Sequence, residues 1–166
     1  MVNIRYASDG DLDRLREIYD HAREYMASYG NADQWKAGYP PREILAEDIK
    51  KQQLYVVEEN GRVHGVFAFI IGADPTYSYI ENGKWRDDSE YGTIHRIASD
   101  GEVKGIFQKV LDYCGSINKH IRIDTHENNA VMRHLILKNG FTECGIIYLD
   151  NGEPRIAYEK SSVISE

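Results

Sequence analysis

The spacing of hydrophobic residues changes near residue 53, and this change restricts the possible folds more than any other feature. Before it, apolar residues recur at three- and four-residue steps between Leu12 and Met26, which indicates a helix with one buried face. After it, residues 53–59 and 62–73 are rich in Val, Phe and Ile, and Asn60-Gly61 between them is typical of a tight hairpin turn. The chain therefore combines helices with a sheet.

The remaining elements follow from the same patterns and complete a mixed α/β order, β-α-α-β-β-β-α-β-α-β-β. Hairpins lie early and late, with two strand–helix units between them. Residues 74–90 form an irregular connection, long enough to be a lid or a dimer contact. The predicted strands are 2–7, 53–59, 62–73, 91–99, 120–126, 141–149 and 154–159. The predicted helices are 9–30 with Ser8 as its N-cap, 42–52, 129–138 and, after a turn, 100–119.

Composition favours one cytoplasmic domain. A chain of 166 residues fits a single core, expected over residues 1–160 with 161–166 as a frayed tail. There is no apolar run of about 18 residues and no secretory leader, which argues against a membrane protein and, with only two cysteines, favours the cytosol. The net charge of −7 and the lack of a Lys/Arg block argue against nucleic acid as a partner.

One segment carries a chemical signal, namely the strand, glycine turn and helix at residues 94–107. The turn contains Gly101, and the predicted helix has Val103, Lys104 and Gly105 in its first turn. Free backbone N–H groups at a helix start can hold a phosphate, and glycine lets the ligand approach closely. Strand–turn–helix units also occur without any ligand, so this segment alone does not assign a function.

With these elements in place, the chain resembles the GNAT superfamily of N-acetyltransferases over residues 2–160. The family's pyrophosphate loop, Gln/Arg-x-x-Gly-x-Gly/Ala, matches the window 102–107. Gly105 fits the pattern, whereas Glu102 and Phe107 depart from it. The resemblance implies that cofactor contacts come from Glu102, Val103, Lys104, Gly105, Ile106 and Phe107, mainly through backbone amides and Lys104.

A second motif resembles the family's later strand–helix unit. Asn129 stands where the family's asparagine contacts the pantetheine arm, and Gly140-Phe141 enters the next strand as in the family. Many members place a tyrosine, the acid that protonates the departing thiolate, where this chain has Ile136. Tyr148 and Tyr158 are candidate replacements, although alternating strand aromatics are the simpler interpretation.

The resemblance implies a central mixed sheet of six or seven strands flanked by about four helices, the GNAT-like acyl-CoA N-acyltransferase fold. It also implies acetyl-CoA as co-substrate, direct attack by an amine, and polarisation of the thioester carbonyl by a backbone N–H of Ile97 or Ala98. The acceptor would be a small molecule, an amino acid derivative or a peptide. The resemblance is compatible with a homodimer, and we predict no metal site.

Candidate bases lie on the central strands. His95 is two residues before Ile97, so strand alternation puts both on one face, and an imidazole, with its ordinary pKa of about 6.5, suits a base near neutrality. Asp124 and His126 share one face of the next strand and are a second candidate pair. The alternative for His95 is a structural role through hydrogen bonds, and the alternative for His126, at the end of the strand, is a cap or loop residue.

Trp35 and Tyr39, in a polar loop with glycine and two prolines, are the candidate substrate-binding residues. An aromatic wall can hold a cation or an apolar group, whereas the alternative is a hydrophobic anchor for the loop. Two other functions stay open. The departures at residues 102, 107 and 136 are compatible with a non-catalytic acyl-CoA-binding or regulatory module, and the turn at 99–105 with an α/β protein that binds a different phosphate ligand.

Overall fold

The computed structural model describes residues 1–162 and confirms the mixed α/β class. Within this range, seven strands form one open sheet in the order β1-β2-β3-β4-β5-β7-β6. Among these seven strands, β4 and β5 are the one parallel pair of neighbours. The strands are β1 Val2–Tyr6, β2 Leu54–Glu59, β3 Arg62–Ile71, β4 Gly92–Ser99, β5 Ile121–Thr125, β6 Thr142–Tyr148 and β7 Pro154–Lys160; the helices are α1 Leu12–Ser28, α2 Arg42–Lys50, α3 Ile106–Ile117 and α4 Ala130–Lys138.

The sheet carries helices on both faces, because its central strands are apolar on both sides. One face packs against α1 and α2 through a cluster that includes Leu15, Ile18 and Leu45. The other packs against α3 and α4 through a cluster that includes Val110 and Ile136. Of the helices in residues 1–162, none has the length and apolar character needed to cross a bilayer.

The two central strands separate soon after they begin. Pairing between β4 and β5 is confined to Gly92 with Ile121 and Thr93 with Arg122. Beyond these pairs the carboxyl ends of the strands diverge, and the edge of β4 is open. Ligands of such sheets bind at the carboxyl ends of strands, so this divergence positions the site.

A bulge in β4 overturns the expectation that His95 and Ile97 share a face. Arg96 has a positive φ of 52°, and the register with β3 shifts at this point. His95 therefore pairs with Ala68 on the side of α1 and α2, whereas Ile97 packs against the α3 cluster. The Tyr19 hydroxyl donates to the Arg96 carbonyl at 2.7 Å, which holds the bulge in place.

Helix α3 begins at Ile106, three residues later than the sequence predicts. Gly105 adopts the left-handed conformation, with φ 73°, and is the residue at which the helix is capped. Asp100 accepts a hydrogen bond from the Glu102 N–H at 2.9 Å, which stabilises a turn before the helix. Val103, Lys104 and Gly105 therefore precede the first helical turn instead of forming it.

The long connection between β3 and β4 packs against the sheet. Tyr77 is buried, and its backbone carbonyl accepts a hydrogen bond from the Trp85 indole at 2.9 Å. Glu81 forms an isolated antiparallel bridge with Ile146 of β6. The connection thus packs against β6 and β7, where Tyr77 clusters with Ile147 and Ala157, although Tyr79 on it is exposed. The tail predicted at 161–166 lies outside the described residues from 163 onward.

Candidate active site

A cleft of about 780 Å³ opens where β4 and β5 diverge. One wall comes from the carboxyl end of α1 and from the loop between α1 and α2. The opposite wall comes from the turn before α3 and the start of α4. All the residues of β4 from Ile94 to Ser99 line the cleft between these walls.

The turn before α3 lines the cleft and contains two glycines. Gly101 and Gly105 both have positive φ, 77° and 73°, and both line the cleft with Val103. Ile106 and Phe107 line it at the start of α3, where the first N–H groups have no partner within the helix. Such a turn suits a phosphate or pyrophosphate group.

Two residues of the expected phosphate window lie away from this surface. Glu102 is exposed, and its Oε2 lies 3.6 Å from an Arg62 nitrogen and 3.5 Å from His64 Nδ1. The side chain thus turns toward β3, and the Arg62 guanidinium offsets its charge. Lys104 is exposed outside the cleft lining. These two side chains therefore do not line the cleft, whereas Gly101, Val103 and Gly105 of the same turn do.

His95 lines the cleft and contacts Asp74, a residue that the sequence analysis did not single out. His95 Nε2 lies 2.7 Å from Asp74 Oδ2. Burial opposes ionisation of Asp74, but hydrogen bonds from His95 and Thr76 outweigh it and lower the pKa of Asp74 to about 2. Asp74 is therefore an anion at neutral pH, in direct contact with the candidate base.

Asp124 and His126 do not behave as the expected pair. Asp124 lines the cleft and accepts a hydrogen bond from the Tyr77 hydroxyl at 2.7 Å; burial raises the pKa of Asp124, against the opposing charge of His95. His126 lies just past the end of β5, outside the cleft lining, and its Nδ1 accepts from the Asn128 N–H at 3.0 Å. Asp124 therefore lines the same cleft as His95, whereas His126 lies in the turn after β5.

Asn129 caps α4 and also contacts the opposite wall. Its Oδ1 accepts from the Met132 N–H at 3.1 Å, and its Nδ2 donates to Gln34 Oε1 at 3.0 Å. The same Gln34 oxygen accepts from the Thr125 hydroxyl at 3.2 Å and from Asn31 Nδ2 at 3.0 Å. Gln34 therefore joins the α1–α2 loop to β5 and α4 across the cleft.

Trp35 and Tyr39 both line the cleft, on the wall that α1 supports. The Trp35 ring contacts Tyr19 edge-on at a centroid distance of 5.7 Å and Tyr39 at 5.9 Å. Tyr19 is buried in the core. Trp35 is therefore both an anchor of the loop and part of the cleft wall, so the two interpretations of its role are compatible.

The two tyrosines considered as candidate acids, Tyr148 and Tyr158, lie outside the cleft lining. Ile136, at the position where many members of the family have a tyrosine, is fully buried in the cluster under α3 and α4. The Tyr158 hydroxyl, also buried, accepts from Arg133 Nε at 3.4 Å, and the Tyr148 hydroxyl donates to Glu81 at 3.0 Å. Neither tyrosine is among the cleft-lining residues, which supports the structural interpretation of both.

One group of metal-ligand type occurs in residues 1–162, formed by His64, Asp100 and Glu102. Asp100 accepts from Arg14 at 2.6 Å and contacts His64 Nδ1 at 2.8 Å. A guanidinium already occupies the carboxylate on which a cation would depend. The arrangement is that of an ion-pair cluster fixing the turn before α3.

Sequence reasoning missed Asp74 and Gln34. Asp74 begins an Asp-Pro-Thr turn at the end of β3, a pattern that suggests a capped turn but not a histidine partner. Gln34 adjoins Trp35 in the loop for which substrate binding was predicted, and its polarity beside an aromatic residue was the one local sign of a role.

Comparison with solved structures identifies close likenesses over the full chain. The chain is similar to an acetyltransferase of the GNAT family from Streptococcus agalactiae 2603, with 33% sequence identity and a TM-score of 0.86, over 99% of this chain and 96% of that one. A GNAT-family acetyltransferase from Listeria monocytogenes 4b F2365 shows 16% identity and a TM-score of 0.71, over 96% and 94%. The ribosomal-protein-S18-alanine N-acetyltransferase from Escherichia coli shows 14% sequence identity and a TM-score of 0.61, over 100% of this chain and 97% of that one. At these identities, the last two structures show a likeness of fold alone. No family model and no curated protein sequence matches the chain.

Proposed function

This chain belongs to the GNAT family of acetyltransferases, and on that premise we propose that it transfers the acetyl group of acetyl-CoA to a primary amine by direct attack in a ternary complex. The observation that supports this most is that the opened edge of β4, the glycine turn before α3 and His95 all face one cleft. The acceptor is a small molecule, an amino acid derivative or a peptide amine.

The cleft fits the co-substrate that this activity needs. The N–H groups of the turn at Gly105 and of the first residues of α3 would hold the pyrophosphate, as anions bind at helix starts. The free edge of β4 would pair with the pantetheine arm, and Asn129 would contact it from α4. Ile97 and Ala98, at and after the bulge, supply the backbone N–H that would polarise the thioester carbonyl.

The acceptor half of the cleft has the groups that amine attack requires. An ammonium cannot attack until it loses a proton, and His95 is placed to take that proton. The buried carboxylate of Asp124, beside His95, would stabilise the resulting positive charge. Trp35 and Tyr39 would form an aromatic wall for the rest of the acceptor.

Calorimetry with acetyl-CoA, followed by a thiol-release assay over a panel of amines, tests this function. We expect micromolar binding and release of CoA with at least one amine, and a loss of about a hundredfold in rate for H95A, the lower range for a general base. Failure to bind acetyl-CoA would contradict the proposal, and so would binding with no transfer to any amine.

One observation favours a second candidate, a non-catalytic acyl-CoA-binding module. Many enzymes that this chain resembles have a tyrosine acid at the position of Ile136, and Ile136 is fully buried. Such a module would bind acetyl-CoA without turnover. Thiol release that depends on both the amine and His95 would eliminate it.

A further inference from the structure

We propose that Asp74 is a positioning residue for the transfer reaction: its carboxylate holds the His95 ring with a proton on Nε2, so that Nδ1 presents its lone pair to the cleft. The inference rests on the proposed function, in which His95 takes the proton of the amine. Its geometric basis is the 2.7 Å contact between Asp74 Oδ2 and His95 Nε2.

Asp74 is itself held firmly by its own turn. Its Oδ1 accepts from the Thr76 N–H at 2.9 Å and from the Thr76 hydroxyl at 2.7 Å. Its backbone N–H donates to the Tyr91 hydroxyl at 2.8 Å. These contacts occupy Oδ1 and leave Oδ2 directed at His95. A carboxylate held in this way can orient a ring that would otherwise rotate.

The charge of Asp74 determines the tautomer. An ionised carboxylate can only accept hydrogen bonds, so the ring nitrogen that faces it must carry the proton. Because the pKa of Asp74 is lowered to about 2, the carboxylate is ionised throughout the pH range in which an amine is acetylated. Neutral His95 therefore has its lone pair on Nδ1.

The proton transfer then balances without a further reactant. One N–H bond of the acceptor ammonium breaks and an N–H bond forms at His95 Nδ1, while the electron pair stays on the amine nitrogen for attack on the thioester carbon. The ring becomes an imidazolium, and its Nε2–H points at the Asp74 anion, which stabilises the charge as in other histidine–carboxylate pairs.

The other charged and titratable groups near His95 do not duplicate this role. Asp124 faces it from β5 with its Oδ2 bound by the Tyr77 hydroxyl, and the Tyr77 ring centroid lies 6.4 Å from that of His95. Arg155 of β7 acts electrostatically on Asp124. Of these groups, Asp74 is the one hydrogen-bonded to the imidazole.

The first test needs no turnover. Long-range ¹H–¹⁵N spectra of ring-labelled protein, with H95Q to assign the signal, report which ring nitrogen of His95 carries the proton. We expect the Nε2–H tautomer in the wild type. D74N should lose this preference, because the amide of Asn can also donate to Nε2. An Nδ1–H tautomer in the wild type, or an unchanged tautomer in D74N, would overturn the proposal.

The second test is kinetic. D74N should lower kcat by at least about tenfold with KM for acetyl-CoA within about twofold, and D74E should recover part of the loss. The acid limb of the kcat/KM profile should move to lower pH in D74N, since the imidazolium then loses the anion that is hydrogen-bonded to its Nε2. D87N makes the same charge change at the other end of the connection between β3 and β4, and it should leave the pH profile of kcat/KM unchanged.

The two tests separate failure of this inference from failure of the proposed function. Wild-type protein without turnover on any amine would contradict the function, while the spectra would still show whether Asp74 sets the tautomer. Equal kinetic losses in D74N and D87N, with unmoved pH profiles, would reduce Asp74 to a structural anchor of the segment and overturn the inference.

Discussion

The side-chain oxygen of Gln34 accepts a hydrogen bond from Asn129 Nδ2 at 3.0 Å, so the loop that bears the aromatic wall is tied directly to the start of α4. The Thr125 hydroxyl, fully buried, donates to the same oxygen. The wall proposed for the acceptor and the wall proposed for pantetheine are therefore linked through one side-chain amide group.

Replacing Gln34 by alanine should loosen this link. The buried hydroxyl of Thr125 and the amide of Asn129 would lose their acceptor, which costs about 1–3 kcal/mol for groups that stay buried. We expect Q34A to unfold at lower urea concentration and to raise KM for the amine. D33A, an exposed neighbour in the loop, is the control and should change neither quantity. Equal effects of the two variants would contradict the assignment.

The backbone of Gly105 allows a prediction about co-substrate binding. Alanine in the left-handed conformation costs about 1–2 kcal/mol, and a Cβ at Gly105 would otherwise meet open space. Gly61, in the β2–β3 hairpin, has φ 77° and the same open surroundings. G105A and G61A should therefore lose similar stability by thermal unfolding, whereas only G105A should weaken acetyl-CoA binding in calorimetry. Equal affinities would place the co-substrate elsewhere.

The fold could be predicted from sequence because its signals are local. Helical stripes and the Asn60-Gly61 turn identify nearly every element, and the alternation of types leaves few arrangements. The bulge at Arg96 could not be predicted in this way, because it depends on Tyr19 and Asp48, which are distant in sequence and bind its carbonyl and its guanidinium. The face of Ile97 was assigned wrongly for that reason.

The site residues that could be predicted from the sequence are those on regular elements, and those that could not be predicted lie in connections. His95, Asp124 and Asn129 lie on or beside regular elements, whose spacing shows where they point. Asp74 and Gln34 belong to connections, and their partners lie 21 and 95 residues away in the chain. Contacts of this kind have no local pattern. The side-chain direction of Glu102 likewise depends on Arg62 and His64 across a turn.

Trp35 both anchors its loop and lines the cleft, so its replacement is tested by stability and by KM for the amine. W35A removes ring contacts with Tyr19 and Tyr39, so it should lower stability by up to about 3–5 kcal/mol, the range for large aromatic truncations. W35F should recover most of the stability. If the ring also holds the acceptor, KM for the amine should rise in W35A while acetyl-CoA affinity stays unchanged. If KM for the amine stays unchanged in both W35A and W35F, and W35F recovers the stability that W35A loses, Trp35 has only the anchoring role.

The acid sensitivity of the fold should involve Asp11. Arg5 donates to both its oxygens at 2.9 and 3.0 Å, and this hydrogen bonding lowers the pKa of Asp11 from its ordinary value of 3.8, against the opposing effect of burial. A folded pKa below the unfolded one means that the stabilisation is complete above the unfolded pKa and is lost as pH falls through the folded value.

D11N should therefore be less stable than the wild type at about pH 7, and the difference should shrink as pH falls below about 3.8. Denaturant midpoints over a pH series measure this. D13N changes an exposed carboxylate on the first turn of α1 and should give a small difference at every pH. A D11N difference that does not vary with pH would contradict the assignment.

The burial of Ile136 predicts that a tyrosine at this position would not reach the leaving thiolate. The side chain has no exposed surface and packs among residues of the α3–α4 cluster. I136Y should therefore overpack the core, costing about 1–3 kcal/mol, and should not raise kcat. L137Y, one residue later and half-exposed, should have little effect on thermal unfolding. A higher kcat in I136Y with unchanged melting temperature would show that a hydroxyl at this position does reach the leaving thiolate, and that the core beneath α4 can yield to admit it.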